Sequence, residues 1–208
     1  MKLTTSELVY INEAAKALKQ KDFILIDNAM IGLDNIQNIV TYVLLDTNFI
    51  TNYHNGIIIN QRALSAFIKT LSIESDFRFD SVDNTIKTIS GGELTIRYNL
   101  QLAELACNRF KYATSLDTAS DIRVAINETE IPDIMQQIQS MKSADGAVGI
   151  NYNGYYMTLF PSLIPMTKND KLYLTIMELY IQTHTFISKF LIRKKKFDVI
   201  TYVQYLKV

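Results

Sequence analysis

Near its start the chain carries apolar residues at helical spacing. Leu8, Ile11, Ala15 and Leu18 form one stripe, while Asn12, Lys16 and Lys19 point the other way. Thr4-Thr5-Ser6-Glu7 just ahead has the hydroxyl-then-carboxylate spacing of a capping box, so a helix is predicted to end near Gln20. DFILIDNAMIGLDN then predicts a β-hairpin, with Asn28 and Gly32 marking the turn and the bulge. IVTYVLLD, residues 39–46, is rich in β-branched residues and predicts a third strand. In GIIINQRALSAFIKTL a strand over 56–59 hands to a helix through Asn60 as its cap. Leu64, Phe67, Ile68 and Leu71 share one face of that helix. DFRFDS, NTIKTIS and GELTIRYN predict three more strands, the last two joined across Gly91-Gly92.

Residues 101–120, QLAELACNRFKYATSLDTAS, mix character and end in small polar residues, which reads as a connection between two domains. A second unit follows. DIRVAINE alternates as a strand, and EIPDIMQQIQSMK is amphipathic with Pro132 in its first turn. AVGINYNGYYMTLF predicts a hairpin turning at Asn153-Gly154, KLYLTIMELYI a long strand, FISKFLIRKKKF a helix and VITYVQYLKV a final strand. Both halves then share the order helix, hairpin, strand, helix, strand, a structural repeat of pattern rather than identity. The second half is short of strands, so either its domain is reduced or FISKFLI is itself a strand.

Composition narrows the class. Of 208 residues 48% are apolar and 20% charged, enough for one large domain or two modest ones. Lys and Arg number 21 and Asp and Glu 21, so net charge names no partner. The distribution is uneven: from 186 to 208, Lys189, Arg193, Lys194, Lys195, Lys196 and Lys207 stand against Asp198 alone. Cys107, the one cysteine, excludes an intramolecular disulfide and reads as a small buried side chain. His54 and His184 lack HxxxH or CxxC partners, so no metal is expected, and neither common phosphate-binding glycine loop occurs, so no cofactor is. Asp22, Asp27, Asp34 and Asp46 sit at strand ends, where Asp commonly serves turns. Nothing pairs a nucleophile with a base, and no enzyme is expected. The opening residues do not read as a signal peptide, and no stretch approaches the roughly 20 apolar residues of a membrane span. A cytoplasmic protein is expected, and the abundance of Asn, Ile and Lys fits an AT-rich viral or bacterial genome.

Charge on the predicted helices is the remaining signal. Lys16 and Lys19 lie opposite the first stripe, and Arg62 and Lys69 fall two turns apart on the second helix. Lys142 ends the third, and Lys189, Arg193 and Lys196 space themselves along the fourth. Few acids interleave with these residues. Exposed helix faces are often simply charged, but four biased alike favour a phosphate-facing surface.

Three stretches carry a resemblance to a known family. MKLTTSELVYINEAAKAL, NGIIINQRALSAFIKTL and DNTIKTISGGELTIRYN resemble the opening strand and helix, the strand bearing the second helix, and the hairpin before an L-T-I strand of DNA sliding clamps, namely the two-domain subunits of proliferating-cell nuclear antigen and of phage clamps. The resemblance implies an α+β fold of two clamp-like domains, 1–100 and 121–208 joined by 101–120, each an antiparallel sheet with two helices on one face. It implies a non-enzymatic processivity factor that encircles duplex DNA without reading its sequence. A homotrimeric ring, a polymerase and a clamp loader are the implied partners, acting in the host cytoplasm if the source is viral. The polymerase-docking candidates it implies are Val40, Tyr42, Leu44 and Leu45, with the 101–120 stretch. Two other readings stay open: another viral nucleic-acid-binding replication accessory protein using RKKKF as a basic patch, and a β-rich virion or assembly protein.

Overall fold

The computed structural model describes residues 2–26, 28–34, 36, 39–46, 57–71, 77–80, 85–88, 93–132, 136–137, 140, 148–159, 167, 169–180 and 185–206. The first half comprises β1 (Lys2–Leu3), α1 (Thr5–Leu18), β2 (Asp22–Ile26), β3 (Ala29–Gly32), β4 (Ile39–Leu44), β5 (Ile57–Asn60), α2 (Gln61–Ile68), β6 (Phe77–Asp80), β7 (Thr85–Thr88), β8 (Glu93–Thr95) and β9 (Arg97–Tyr98). The second comprises α3 (Leu100–Ser115), β10 (Ile122–Glu130), β11 (Val148–Tyr152), β12 (Tyr155–Leu159), β13 (Lys171–Leu179), β14 (Thr185–Arg193) and β15 (Asp198–Leu206).

The fold is α+β, and every strand pair is antiparallel. Nine strands form one sheet in the order β10-β13-β14-β15-β4-β3-β2-β5-β9. A second sheet runs β1-β6-β7-β8, and β11-β12 form a separate hairpin. The two halves of the chain meet inside the large sheet, where β15 pairs with β4 from Val199↔Val43 to Val203↔Ile39. At that seam Thr41 and Thr201 stand opposite each other and share a buried hydroxyl hydrogen bond of 3.1 Å. Each hydroxyl thereby satisfies the other, as burial demands.

Side-chain alternation splits the core in two. Phe23, Leu25, Val43, Ile57, Ile59, Phe190 and Val199 point to one face, where Leu8, Ile11 and Leu18 of α1 and Leu64 and Phe67 of α2 cover them. Ile24, Ile26, Val40, Tyr42, Ile58, Ile187 and Tyr202 point to the other, under Ala106, Phe110 and Ala113 of α3. With both faces covered, β2, β3 and β5 read as unbroken apolar runs rather than alternating ones.

Most predicted elements of the first half form where expected. Thr4 caps α1 in a full capping box with Glu7, and Asn60 caps α2. The hairpin at Asn153-Gly154 is present, with both residues at positive φ (51° and 85°), as a primed two-residue turn requires. The predicted Gly91-Gly92 turn, Asp27, Lys142, His54 and His184 lie outside the described residues, as does most of the helix expected over 130–142.

One expectation is corrected. FISKFLIRKKKF is not a helix: 185–193 form β14, paired over nine residues with β15, and 194–197 make the turn between them. The alternative that FISKFLI is a strand therefore holds, and the repeat of helix order ends there. The 101–120 stretch, expected to connect two domains, holds most of the 16-residue helix α3. Cys107 on α3 is half-buried beside the core of that face.

Candidate nucleic-acid interface

α1 ends in Lys19, whose left-handed backbone (φ 55°) returns its N–H to the Ala15 carbonyl at 3.2 Å. That reversal brings Lys16, Lys19 and Lys21 around one end of the helix. β2 begins immediately afterwards and pairs with β5 so that Asp22 stands opposite Asn60. The register sets Lys21 beside the start of α2, and the Lys21 carbonyl accepts from Gln61 N–H at 2.9 Å. Between the helix ends lies an open groove of about 590 Å³, lined by the three lysines, Arg62 and Asp34 among others.

Hydrogen bonds fix its walls. Asn60 Oδ1 accepts from the N–H groups of Arg62 and Ala63, both at 3.1 Å, while its Nδ2 donates to Asp22 Oδ1 at 3.0 Å. The other oxygen of Asp22 meets Arg97 at 3.0 Å. Gln20 is buried and accepts from Asp34 N–H through Oε1 at 3.0 Å, and Asp34 Oδ2 accepts from Lys21 N–H at 3.0 Å. The Gln20 side chain lies directly over Gly32: a Cβ there would come within 2.0 Å of Gln20 Oε1. A side chain at 32 would displace the end of Gln20 from this position.

Four cations thus face one carboxylate. Lys16 and Arg62 make no ion pair among the described residues, and both are exposed. The first N–H groups of α2 are already held by Asn60, so an anion in the groove meets flexible side-chain cations rather than a backbone cradle. Such contacts follow phosphate charge and are indifferent to base sequence.

The other expected DNA contacts do not join this groove. Lys69 is exposed at the opposite end of α2. Lys189 and Arg193 share strand parity with Ile187 and so lie on the α3 face, across the sheet from α1 and α2. Lys189 is bonded to Asp117 at 2.7 Å and sits over the Tyr202 ring, while Arg193 is bonded to Glu128 at 2.6 Å and stacks over Tyr173. Lys196, in the β14–β15 turn, meets Glu13 of α1 at 2.7 Å. Their expected helical spacing is corrected by a strand and a turn, and each is already neutralised.

The polymerase-docking candidates also need correction. Val40 and Tyr42 are buried beneath α3, and Leu45 is buried on the other face. Burial pushes the Tyr42 phenol up to about 12, with Asp117 adding to the rise and Tyr202 opposing it. Leu44, which is 48% exposed, is the one of the four a partner could touch. It borders a second groove of about 510 Å³ with Tyr10, Phe197 and Ile200.

Lys21, Gln20 and Asp34 were missed by pattern. Lys19-Gln20-Lys21 at a helix end was a usable signal, but its meeting with Arg62 depends on the β2–β5 register.

No family model matches the chain, and no curated protein matches it in sequence. Among solved structures it resembles the β clamp of Helicobacter pylori in complex with 5-chloroisatin, with a TM-score of 0.46, 8% identity, and coverage of 98% of this chain and 62% of that one. It also resembles the DNA polymerase III β subunit of Thermotoga maritima (0.42, 12%, 100% and 64%) and the DNA polymerase sliding clamp of Bacillus subtilis (0.40, 10%, 100% and 64%). The chain spans less than two thirds of the length of each of these proteins. At such identity the likeness concerns the course of the chain, and the functional reading rests on the groove.

Proposed function

We propose that the chain is a non-enzymatic, clamp-like processivity factor whose α1/α2 face lies against the phosphates of duplex DNA. The observation that carries this reading is the convergence of Lys16, Lys19 and Lys21, from the end of α1 and the link after it, with Arg62 at the start of α2 into a single groove. Lys189, Arg193, Lys194 and Lys196 are matched by acids. Lys16 and Arg62, like Arg109 and Lys111 of α3, have no ion pair among the described residues, so it is the convergence in one groove that sets the α1/α2 face apart. Lys69 extends the same exposed side of α2. The pairing of Lys194 and Lys196 also disfavours RKKKF as a separate basic patch.

The finer reading follows the family resemblance seen in the sequence. Residues 1–100 and 121–208 act as two clamp-like domains sharing the nine-stranded sheet, with 101–120 between them. Three copies close a ring that tethers a polymerase to DNA, and the groove beside Leu44 is where an apolar partner segment would sit.

The test is charge reversal. Lys16→Glu with Arg62→Glu should weaken binding to duplex DNA at least about tenfold at low salt and reduce the steepness of its salt dependence by about two phosphate contacts, equally for unrelated sequences. Circular dichroism checks that the fold is retained. Unchanged affinity in a folded double variant removes the proposed face.

A further inference from the structure

The two helices that bear the groove are joined by a polar brace. Ser65 Oγ on α2 donates to Asn12 Oδ1 on α1 at 2.8 Å, and Gln61 Nε2 donates back to Ser65 Oγ at 3.0 Å. Asn12 is only 5% exposed, within a helix face otherwise made of Leu8, Ile11, Ala15 and Leu18. A buried amide in an apolar face adds little net stability when satisfied and is costly when it is not, so its presence calls for a reason beyond burial.

Its position supplies one. Asn12 lies four residues before Lys16, one turn along the same side of α1, and Ser65 lies three residues after Arg62 on α2. Apolar packing permits one helix to slide or rotate against another at small cost, because it is non-directional. A 2.8 Å hydrogen bond does not. We propose that Asn12 and Ser65 are positioning residues that hold the cation rows of α1 and α2 at a fixed spacing, so that Lys16 and Arg62 engage the phosphates of one duplex together. This inference rests on the reading of the groove as a DNA-facing surface, and adds what sets its geometry.

The experiment compares Ser65→Thr, which keeps the hydroxyl, with the nearly isosteric Ser65→Val and the good helix former Ser65→Ala. Each is measured by fluorescence anisotropy on a labelled duplex of about 20 base pairs, long enough to contact both cation rows, with salt varied and thermal midpoints recorded. The full chain is used, with Lys16→Ala, Arg62→Ala and their double variant in parallel. Thr should bind as the parent does. Val and Ala should lose about threefold to tenfold in affinity, with a salt slope shallower by about one contact. Lys16→Ala and Arg62→Ala should be non-additive in the parent and additive once Ser65 is Ala. Parent-like affinity and slope in Ser65→Ala, whatever its thermal midpoint, overturn the positioning role while leaving the groove intact. If Lys16→Ala and Arg62→Ala themselves bind as the parent does, the DNA-facing reading falls instead.

Discussion

Asp170 and Lys194 meet at 2.5 Å with side chains only 10% and 11% exposed. Burial alone would push the Asp170 carboxyl up, but the Lys194 ammonium and the Thr167 N–H outweigh it and hold the group below its ordinary value. A carboxylate depressed in the folded state stabilises fully above its unfolded pKa, and that contribution is lost as pH falls through the folded value. Lys194→Met should therefore cost about 1–3 kcal/mol at neutral pH, the penalty for leaving a charged group half-satisfied. In the variant burial dominates, so protonating Asp170 should relieve the penalty and narrow the gap to the parent as pH drops below the carboxylate range. Urea midpoints across pH measure this, and a gap independent of pH excludes the pair as its source. At this scale caps and apolar stripes placed Lys16, Lys19 and Arg62 on exposed sides of their helices, but they put Asn12 there too, and it is buried against α2. The sequence could not show that Lys189, Arg193 and Lys196 were already taken, because their acids, Asp117, Glu128 and Glu13, lie 72, 65 and 183 residues away.

Among the elements, α2 is short for a helix. Its eight residues fall below the length at which a helix holds by itself, about 12–15, so its ends matter. Asn60 both caps it and donates to Asp22. Asn60→Ala should cost about 1–2 kcal/mol of unfolding free energy. Asn60→Asp should cost a similar amount here, although Asp caps as well as Asn elsewhere, because a second carboxylate would face Asp22. Chemical denaturation separates the cases, and a fully stable Asn60→Asp would show that the Asp22 contact is unimportant. The same physics explains which elements were legible. α1, α2 and the hairpins carry local signals in caps and turns. β14 misled because both of its faces are buried: Phe186, Ile187, Phe190 and Leu191 then satisfy a helical spacing as well as a strand. α3 was passed over because its buried stripe is narrow, Ala106, Phe110 and Ala113, and two of the three are alanines.

At the scale of the whole molecule, the pairing of strands from both halves of the chain in one sheet was not legible, since chain order says nothing of which distant strands pair. Among the described residues no helix is long and apolar enough to cross a membrane. Assembly is the prediction that belongs here. If three copies close a ring, light scattering should return a mass near three times 23.8 kDa at micromolar concentration, and the assembly should stay on nicked circular DNA after loading but run off once the circle is cut. A monomer that binds linear and circular DNA alike would reject the ring while leaving the basic groove in place.

The seam between β4 and β15 bears on how such a chain is made. Thr41 and Thr201 are 160 residues apart in sequence yet adjacent in the sheet. During synthesis β4 leaves the ribosome long before the strand that will cover its edge exists. Until then that edge carries Ile39, Thr41 and Val43 with open backbone donors and acceptors, an invitation to pair with another nascent chain. Closing so distant a contact is also slow relative to local helix and hairpin formation. The strand that unites the two halves is therefore also the last guard against aggregation, and truncation before Asp198 should turn a folding protein into an insoluble one.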